Sequence, residues 1–221
     1  MKTRPQAVLF DLDGTLIDSA PDLAGAGNEL RHRRGLPELP IADFRPMTGA
    51  GARGLLGVAL AVTPEHAEFE ALKHEFLDAY EARMTRDTRV FEAVATLLDQ
   101  LDAHGVPWGI VTNKASRFAA PVVEALDLQR RSRVLVCGDS AARAKPHPDP
   151  LLLAAERLGL AAAQCVYVGD DLRDVQAGQA AGMVTVAVAW GYLGAGEPIE
   201  RWGADHLIKC PSELLKLLEL A

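Results

Sequence analysis

Five short runs rich in Val, Ile and Leu, separated by longer helical patterns, restrict the fold more than any other feature. They are AVLF (7–10), PWGIVT (107–112), RVLVC (133–137), CVYVG (165–169) and VTVAVA (184–189). A strand wetted on one face alternates polar with apolar residues; near-continuous apolar runs need cover on both faces, the condition of a parallel sheet between layers of helices. The intervening patterns supply that cover. Val94, Leu97, Leu98 and Leu101 recur at helical spacing within residues 91–104 and stop at Gly105, and a second pattern over 151–158 stops at Gly159. A third helix is expected from Asp171 to Gly182, and PSELLKLLEL closes the chain with a fourth. The expected fold class is α/β, a doubly wound parallel sheet.

The alternation is interrupted once. Residues 19–87 follow the first apolar run with helical patterns and no strand signal. Ser19 and Asp22 predict a capping box for a helix reaching about Arg34, and EHAEFEALKHEFLDAYEARM (65–84) predicts a long amphipathic helix. Between them, the glycines at 49, 51 and 54 of RPMTGAGARGLL suit a loop entering a helix. The expected division is therefore a core of residues 1–18 and 88–221 with an all-helical insertion of 19–87. A chain of 221 residues, 49% of them hydrophobic, can bury one full core and a small second one.

Composition removes several classes of function. With 30 acidic against 23 basic residues the net charge is −7, which argues against a nucleic-acid face, because phosphate backbones are bound by clustered Lys and Arg. No apolar run approaches the ~20 residues a bilayer requires, and the first residues lack the sections of a signal peptide, so a cytoplasmic location and no membrane partner are expected. Cys137, Cys165 and Cys210 are widely spaced and read as free thiols in a reducing compartment, the first two inside apolar runs.

In doubly wound sheets, ligands gather beyond the carboxyl ends of the strands. The first run ends in Asp11 and Asp13, the second in Thr112 and Asn113, and CVYVG in Asp170, Asp171 and then Asp174; AKPHPDP adds Lys145. Carboxylates crowded together repel unless a cation or a shared proton intervenes. An oxygen-only set without His or Cys ligands points to Mg²⁺, which keeps places for water and substrate phosphate. Thr112, Asn113 and Lys145 can donate to the oxygens of a phosphoryl group. Asp11, nearer the strand, is then the expected nucleophile and Asp13 the general acid/base; the i, i+2 spacing puts both on one face of an extended segment, and Gly14 lets the chain turn away.

DLDGT (11–15), VTN (111–113), Lys145 before Pro146 and GDDLRD (169–174) together resemble the four ordered motifs of the haloacid dehalogenase superfamily of phosphatases, and the resemblance spans the whole chain. It implies a Rossmann-like core with a mobile helical cap over the site. It further implies Asp11 as nucleophile and metal ligand, Asp13 as acid/base that also gives a backbone carbonyl to Mg²⁺, and Thr112 and Asn113 on the phosphoryl group. Lys145 would bridge that group to the nucleophile, and Asp170 would complete the metal ligands with Asp174 close behind. Within the superfamily, DLDGTLIDSAPDL and the segment around Thr48 to Arg53 are similar to phosphoglycolate phosphatases. GDDLRD, VTNKASRFAAPVVEALDL and WGADHLI look as much like N-acetylmuramic acid 6-phosphate phosphatases, and Asp171 and Arg173 stand where many phosphoglycolate enzymes carry Ser and Asn.

The expected partner is a small phosphorylated, carboxylate-bearing substrate, acted on by a monomer or homodimer. Several readings stay open at this level. Arg53 serves equally as a surface arginine or as a contact to a substrate carboxylate. Asp171 serves as a helix cap or as a site carboxylate. His147 is expected to be structural. A phosphomutase, a haloacid dehalogenase and a non-enzymatic phosphate-accepting receiver domain are the rival functions. The first would reuse the same residues, the second would need neither the acid Asp13 nor a metal at Asp170, and the third is normally shorter and lacks a helical insertion.

Overall fold

A computed structural model describes residues 5–194 and 196–220. The strands in chain order are β1 (Ala7–Phe10), β2 (Ile17–Asp18), β3 (Arg89–Val90), β4 (Trp108–Val111), β5 (Leu135–Val136), β6 (Cys165–Gly169), β7 (Val184–Val188) and β8 (His206–Ile208). Six of them form one parallel sheet in the order β5-β4-β1-β6-β7-β8. The five apolar runs of the sequence are its first five strands, although RVLVC contributes only two residues to β5. The edge strand β8 was not signalled, because the segment HLI is too short to carry a pattern.

Backbone contacts divide the described chain into two compact units. One comprises residues 1–17, 90–191 and 197–221, the other 18–89 and 192–196, and the chain crosses between them within β2 and β3 and again on either side of 192–196. The second unit is all-helical: α1 (Ala20–His32), α2 (Ile41–Phe44), a 3-10 segment Arg45–Ala50, α3 (Gly51–Leu60) and α4 (Phe69–Glu81). Leu30, Phe44, Leu55, Leu56 and Phe76 are almost fully buried in it, and a Cβ on Gly27 would come within 2.6 Å of the Phe44 ring, so the small residue permits that close packing. Two local expectations change here. The helix expected over 65–84 is the shorter α4, because residues 64–68 make turns before it and 82–87 make turns after it. The expected loop before α3 is a 3-10 helix that joins it at Gly51, whose φ of +62° suits glycine.

The capping box at Ser19 and Asp22 is also absent. Ser19 makes no side-chain hydrogen bond to the first turn of α1. Instead the Tyr192 hydroxyl accepts from the backbone N–H of Ser19 at 2.8 Å and of Ala20 at 3.0 Å, and donates to Asp18 Oδ1 at 3.1 Å. Asp22, fully buried, turns away from the helix and its Oδ2 accepts from the backbone N–H of Asp87 and Thr88 and from the Thr88 hydroxyl at 2.8–3.0 Å.

In the first unit, α5 (Glu92–Ala103), α6 (Ser116–Ala125), α7 (Asp149–Leu158), α8 (Leu172–Ala181) and α9 (Pro211–Leu217) accompany the sheet. Every residue of β1, β4 and β6 is buried, as their continuous apolar sequence requires. Ala7, Leu9, Cys165 and Tyr167 pack with Leu151, Ala154 and Ala177 of α7 and α8, while Phe10 meets Trp108 edge to face at 6.4 Å. Each such large side chain contributes about 1.5–3 kcal/mol on burial. Cys137, Cys165 and Cys210 are free thiols, the first two buried and Cys210 exposed. Among the described residues, no helix is long and apolar enough to cross a membrane.

Candidate active site

The strand order reverses at β1, which lies between β4 and β6, so the carboxyl ends of these three strands open side by side. The register sets Phe10 beside Ile110 on one flank and beside Val168 on the other. The residues just past each strand are therefore neighbours. Asp11 continues the parity of Ala7 and Leu9, and its N–H is held by the Val168 carbonyl at 2.9 Å. Both aspartates of DLDG lie beyond the end of β1 rather than within it, separated by the fully buried Leu12. Gly14, with φ of +86°, then turns the chain, as its N–H bonds to the Ile17 carbonyl at 2.9 Å.

Lys145 is the centre of the arrangement. Its side chain is 3% exposed, and Nζ lies 2.8 Å from Asp11 Oδ1, 2.8 Å from Asp174 Oδ1, 2.8 Å from the Tyr167 hydroxyl and 3.1 Å from the Val111 carbonyl. Four acceptors compete for three N–H bonds. The Tyr167 hydroxyl resolves this by donating to the Val111 carbonyl at 2.8 Å, which leaves its oxygen free to accept from the ammonium. Burial pushes the phenol well above its ordinary pKa, and the charges of Asp174 and Asp11 push it further, so it stays a donor. Burial works against the Lys145 ammonium, but Asp11 and Asp174 together hold its pKa above the ordinary value. Burial pushes the Asp11 carboxyl up to about 7, with Asp174 adding to the rise and Lys145 opposing it.

Oxygens of Asp11, Asp170 and Asp174 lie within 4.8 Å of one another. Three carboxylates against one ammonium leave an excess of negative charge in a buried space, and all the donors are hard oxygens, a set that fits a small divalent cation. Asp170 is oriented by the Thr15 hydroxyl, which donates to its Oδ1 at 2.7 Å, and Gly191 leaves room for it, since a Cβ there would come within 2.2 Å of the Asp170 Cβ. Asp174 is more heavily engaged: Oδ1 faces Lys145 and Tyr167, and Oδ2 accepts from the Asp171 N–H at 3.1 Å. Asp171 is the N-cap of α8, its carboxylate accepting from the Arg173 N–H and gripping the Arg173 guanidinium through two contacts of 2.7 Å.

On the opposite flank, Thr112 is buried and its hydroxyl accepts from the Lys114 N–H at 3.1 Å. The Asn113 side chain brackets the backbone of Lys145, accepting from its N–H and donating to its carbonyl, both at 2.9 Å, so it fixes the loop that carries the lysine. Arg53 is exposed in the first turn of α3, in the helical unit. His147 is exposed.

Three further contributors carry no signal of their own in the sequence: Tyr167 lies within the apolar run CVYVG, Thr15 ends DLDGT, and Lys114 follows VTN. Lys114 Nζ lies 3.1 and 3.2 Å from the two carboxylate oxygens of Asp13, and its side chain is 9% exposed. Only burial distinguishes such residues from their solvated counterparts.

Residues 8–188 match the family model described as haloacid dehalogenase-like hydrolase. This chain belongs to the haloacid dehalogenase-like hydrolase family. Among curated relatives of the family, a phosphoglycolate phosphatase of Xanthomonas campestris is 49% identical over 211 residues, 95% of each chain. An N-acetylmuramic acid 6-phosphate phosphatase of Pseudomonas aeruginosa is 40% identical over 220 residues, covering 100% of this chain and 97% of that protein. Among solved structures, a predicted phosphoglycolate phosphatase from Haemophilus somnus superposes with a TM-score of 0.84 at 28% identity, over 98% of this chain and 99% of that one. The doubly wound fold and the superfamily expected from the motifs are thus borne out, and the chain is a phosphatase of this family.

Proposed function

We propose that this phosphatase is a Mg²⁺-dependent, cytoplasmic phosphomonoesterase that hydrolyses a small carboxylate-bearing substrate through an aspartyl-phosphate, with phosphoglycolate as the first candidate. The observation that carries the reading is the buried Lys145 held between Asp11 and Asp174, with Asp170 alongside. A lysine buried only to stabilise the fold would be satisfied by one carboxylate; here three converge at the one strand edge where the sheet order reverses.

An Asp11 carboxylate oxygen attacks phosphorus while the bond from phosphorus to the leaving oxygen breaks, and Asp13 gives that oxygen a proton. Water then attacks the phosphorus, the bond to Asp11 breaks to restore the carboxylate, and Asp13 takes the proton the water loses. Lys145 keeps Asp11 aimed, Thr112 and Asn113 are assigned to the phosphoryl group, and Asn113 also fixes the Lys145 loop. Asp11, Asp170 and Asp174 would hold the ion with the backbone carbonyl of Asp13. Bound there, Mg²⁺ supplies the positive charge that lets phosphoryl oxygens approach these carboxylates. The helical unit is assigned the role of a cap that excludes bulk water, and Arg53 that of a contact to the substrate carboxylate.

N-acetylmuramic acid 6-phosphate is the second candidate, favoured by the Asp171–Arg173 pair and by the relative of that name that spans the whole chain. The deciding experiment compares kcat/KM on the two substrates and a few sugar phosphates; a preference of two decades selects one, and label appearing in an isomeric sugar phosphate instead of free phosphate selects a mutase. Asp11→Asn is expected to abolish hydrolysis of p-nitrophenyl phosphate with the fold intact. EDTA is expected to stop activity and Mg²⁺ to restore it, and full activity in chelator would eliminate the metal scheme.

A further inference from the structure

We propose that Lys114 is the positioning residue for Asp13, fixing the side-chain rotamer from which the acid/base acts; the inference rests on the hydrolytic reading above. The backbone of Asp13 is already fixed: it bridges to Ile17, and the turn is closed by the Gly14 N–H to the Ile17 carbonyl and the Leu16 N–H to the Leu12 carbonyl, both at 2.9 Å. The carboxylate itself turns about two bonds beyond that backbone. Lys114 Nζ restricts this rotation by meeting both oxygens, at 3.1 and 3.2 Å.

Lys114 is itself held. Its N–H bonds to the Thr112 hydroxyl and its carbonyl accepts from the Gly138 N–H at 2.9 Å, so its backbone leads directly from the Thr112–Asn113 end of β4. A lysine side chain 9% exposed is costly unless it is paired, and lysine is seldom buried where it serves only the surface. A catalytic group held within a narrow range of angles loses little entropy on reaching the transition state, whereas a freely rotating one must be ordered each time.

The role makes a prediction that a structural lysine does not. In phosphoryl transfer, the step that kcat/KM reports, an alkyl phosphate such as 2-phosphoglycolate expels a strongly basic oxygen and needs the Asp13 proton, whereas p-nitrophenyl phosphate expels a stabilised phenolate and hardly needs it; the water step, in which Asp13 takes a proton, is common to both and enters kcat alone. Lys114→Met and Lys114→Gln are expected to lower kcat/KM about 10²-fold on whichever alkyl phosphate the wild type turns over, with the loss in kcat and not in KM, and to lower kcat/KM on p-nitrophenyl phosphate no more than about threefold. Lys114→Arg, which can also meet both oxygens, should recover part of the loss. In Asp13→Asn, adding Lys114→Met should cost no further kcat/KM on the alkyl phosphate, because the residue acts through Asp13.

Equal falls in kcat/KM on the two substrates, a loss on the alkyl phosphate confined to KM, or a further fall in the double variant would each overturn the proposal. Loss of folding in both truncated variants would likewise overturn it by making Lys114 a structural residue. Failure of the hydrolytic reading is recognised separately, since wild-type protein would then release no phosphate or Asp11→Asn would remain active.

Discussion

The helices α1 and α8 each follow a Ser or Asp with an Asp three residues further on, Ser19 with Asp22 and Asp171 with Asp174, and the two starts are built in opposite ways. At α8 the signal means what it says: Asp171 accepts from the helix and Asp174 accepts from the Asp171 N–H. At α1 the same spacing is taken over by distant partners, Tyr192 satisfying the first amides and Asp22 reaching the loop at Asp87 and Thr88. A side chain in the first turn caps its own helix only when nothing better lies within reach. For Asp22 the alternative is three donors in a dry environment; for Asp174 a single carboxylate reaches both its own cap and the ammonium of Lys145.

The largest effect is expected where a cap residue also serves the site. Asp174→Asn removes one of the two charges that hold Lys145, and kcat should fall about 10²-fold or more, while the cap, which an amide oxygen can still make, is mostly kept. Activity assays beside thermal melts check this. If stability and activity declined together, the double use of Asp174 would be wrong.

Next comes Asp22→Ala, which strands two buried donors of Thr88, the half-buried Asp87 N–H, and Arg83, whose Nε lies 3.6 Å from Asp22 Oδ1. The expected loss is about 3 kcal/mol of unfolding free energy by denaturant titration. A loss near 0.5 kcal/mol, the size of an exposed cap, would restore the local reading of Ser19 and Asp22.

The same contrast explains what the sequence made legible. The sheet could be read because each strand carries its own burial as a run of apolar residues, and Asp11, Thr112, Lys145 and Asp170 could be read because each stands at the end of such a run or beside a stiffening proline. The strand β8, the Tyr192 cap and the roles of Tyr167, Thr15 and Lys114 depend on partners between 20 and 173 residues away. No local pattern encodes those partners: a tyrosine that relays a hydrogen bond to a buried lysine is spelled the same way as one that only fills space. The insertion was recognised as helical, but the assignment of residues 192–196 to that unit follows from packing alone.

Acid separates the two helix starts by a smaller amount. Burial raises the pKa of Asp171, but the hydrogen bonds and charge of Arg173 outweigh it and hold the carboxyl below its ordinary value. Between the native and unfolded values the unfolded chain binds more protons, so this contribution is complete above the unfolded pKa of about 3.9 and is lost as the pH falls through the native one. Asp171→Asn should flatten the dependence of stability on pH below about 4 relative to wild type. An unchanged slope would mean that the carboxylate at the α8 cap is not preferentially ionised in the native state.

The smallest difference is also the most direct comparison, between the two N-cap side chains and the residue that replaces one of them. Tyr192→Phe removes the hydroxyl that serves the Ser19 and Ala20 amides and Asp18, and should cost about 1–2 kcal/mol. Ser19→Ala removes a side chain that makes no bond to the first turn of α1 and should cost about 0.5 kcal/mol, less than the ~1 kcal/mol typical of a working N-cap. Measured by chemical denaturation on the same day and buffer, the order Tyr192→Phe above Ser19→Ala identifies the cap, because both changes remove one hydroxyl and only that of Tyr192 holds helix amides, together with Asp18. The reverse order would return the cap of α1 to Ser19.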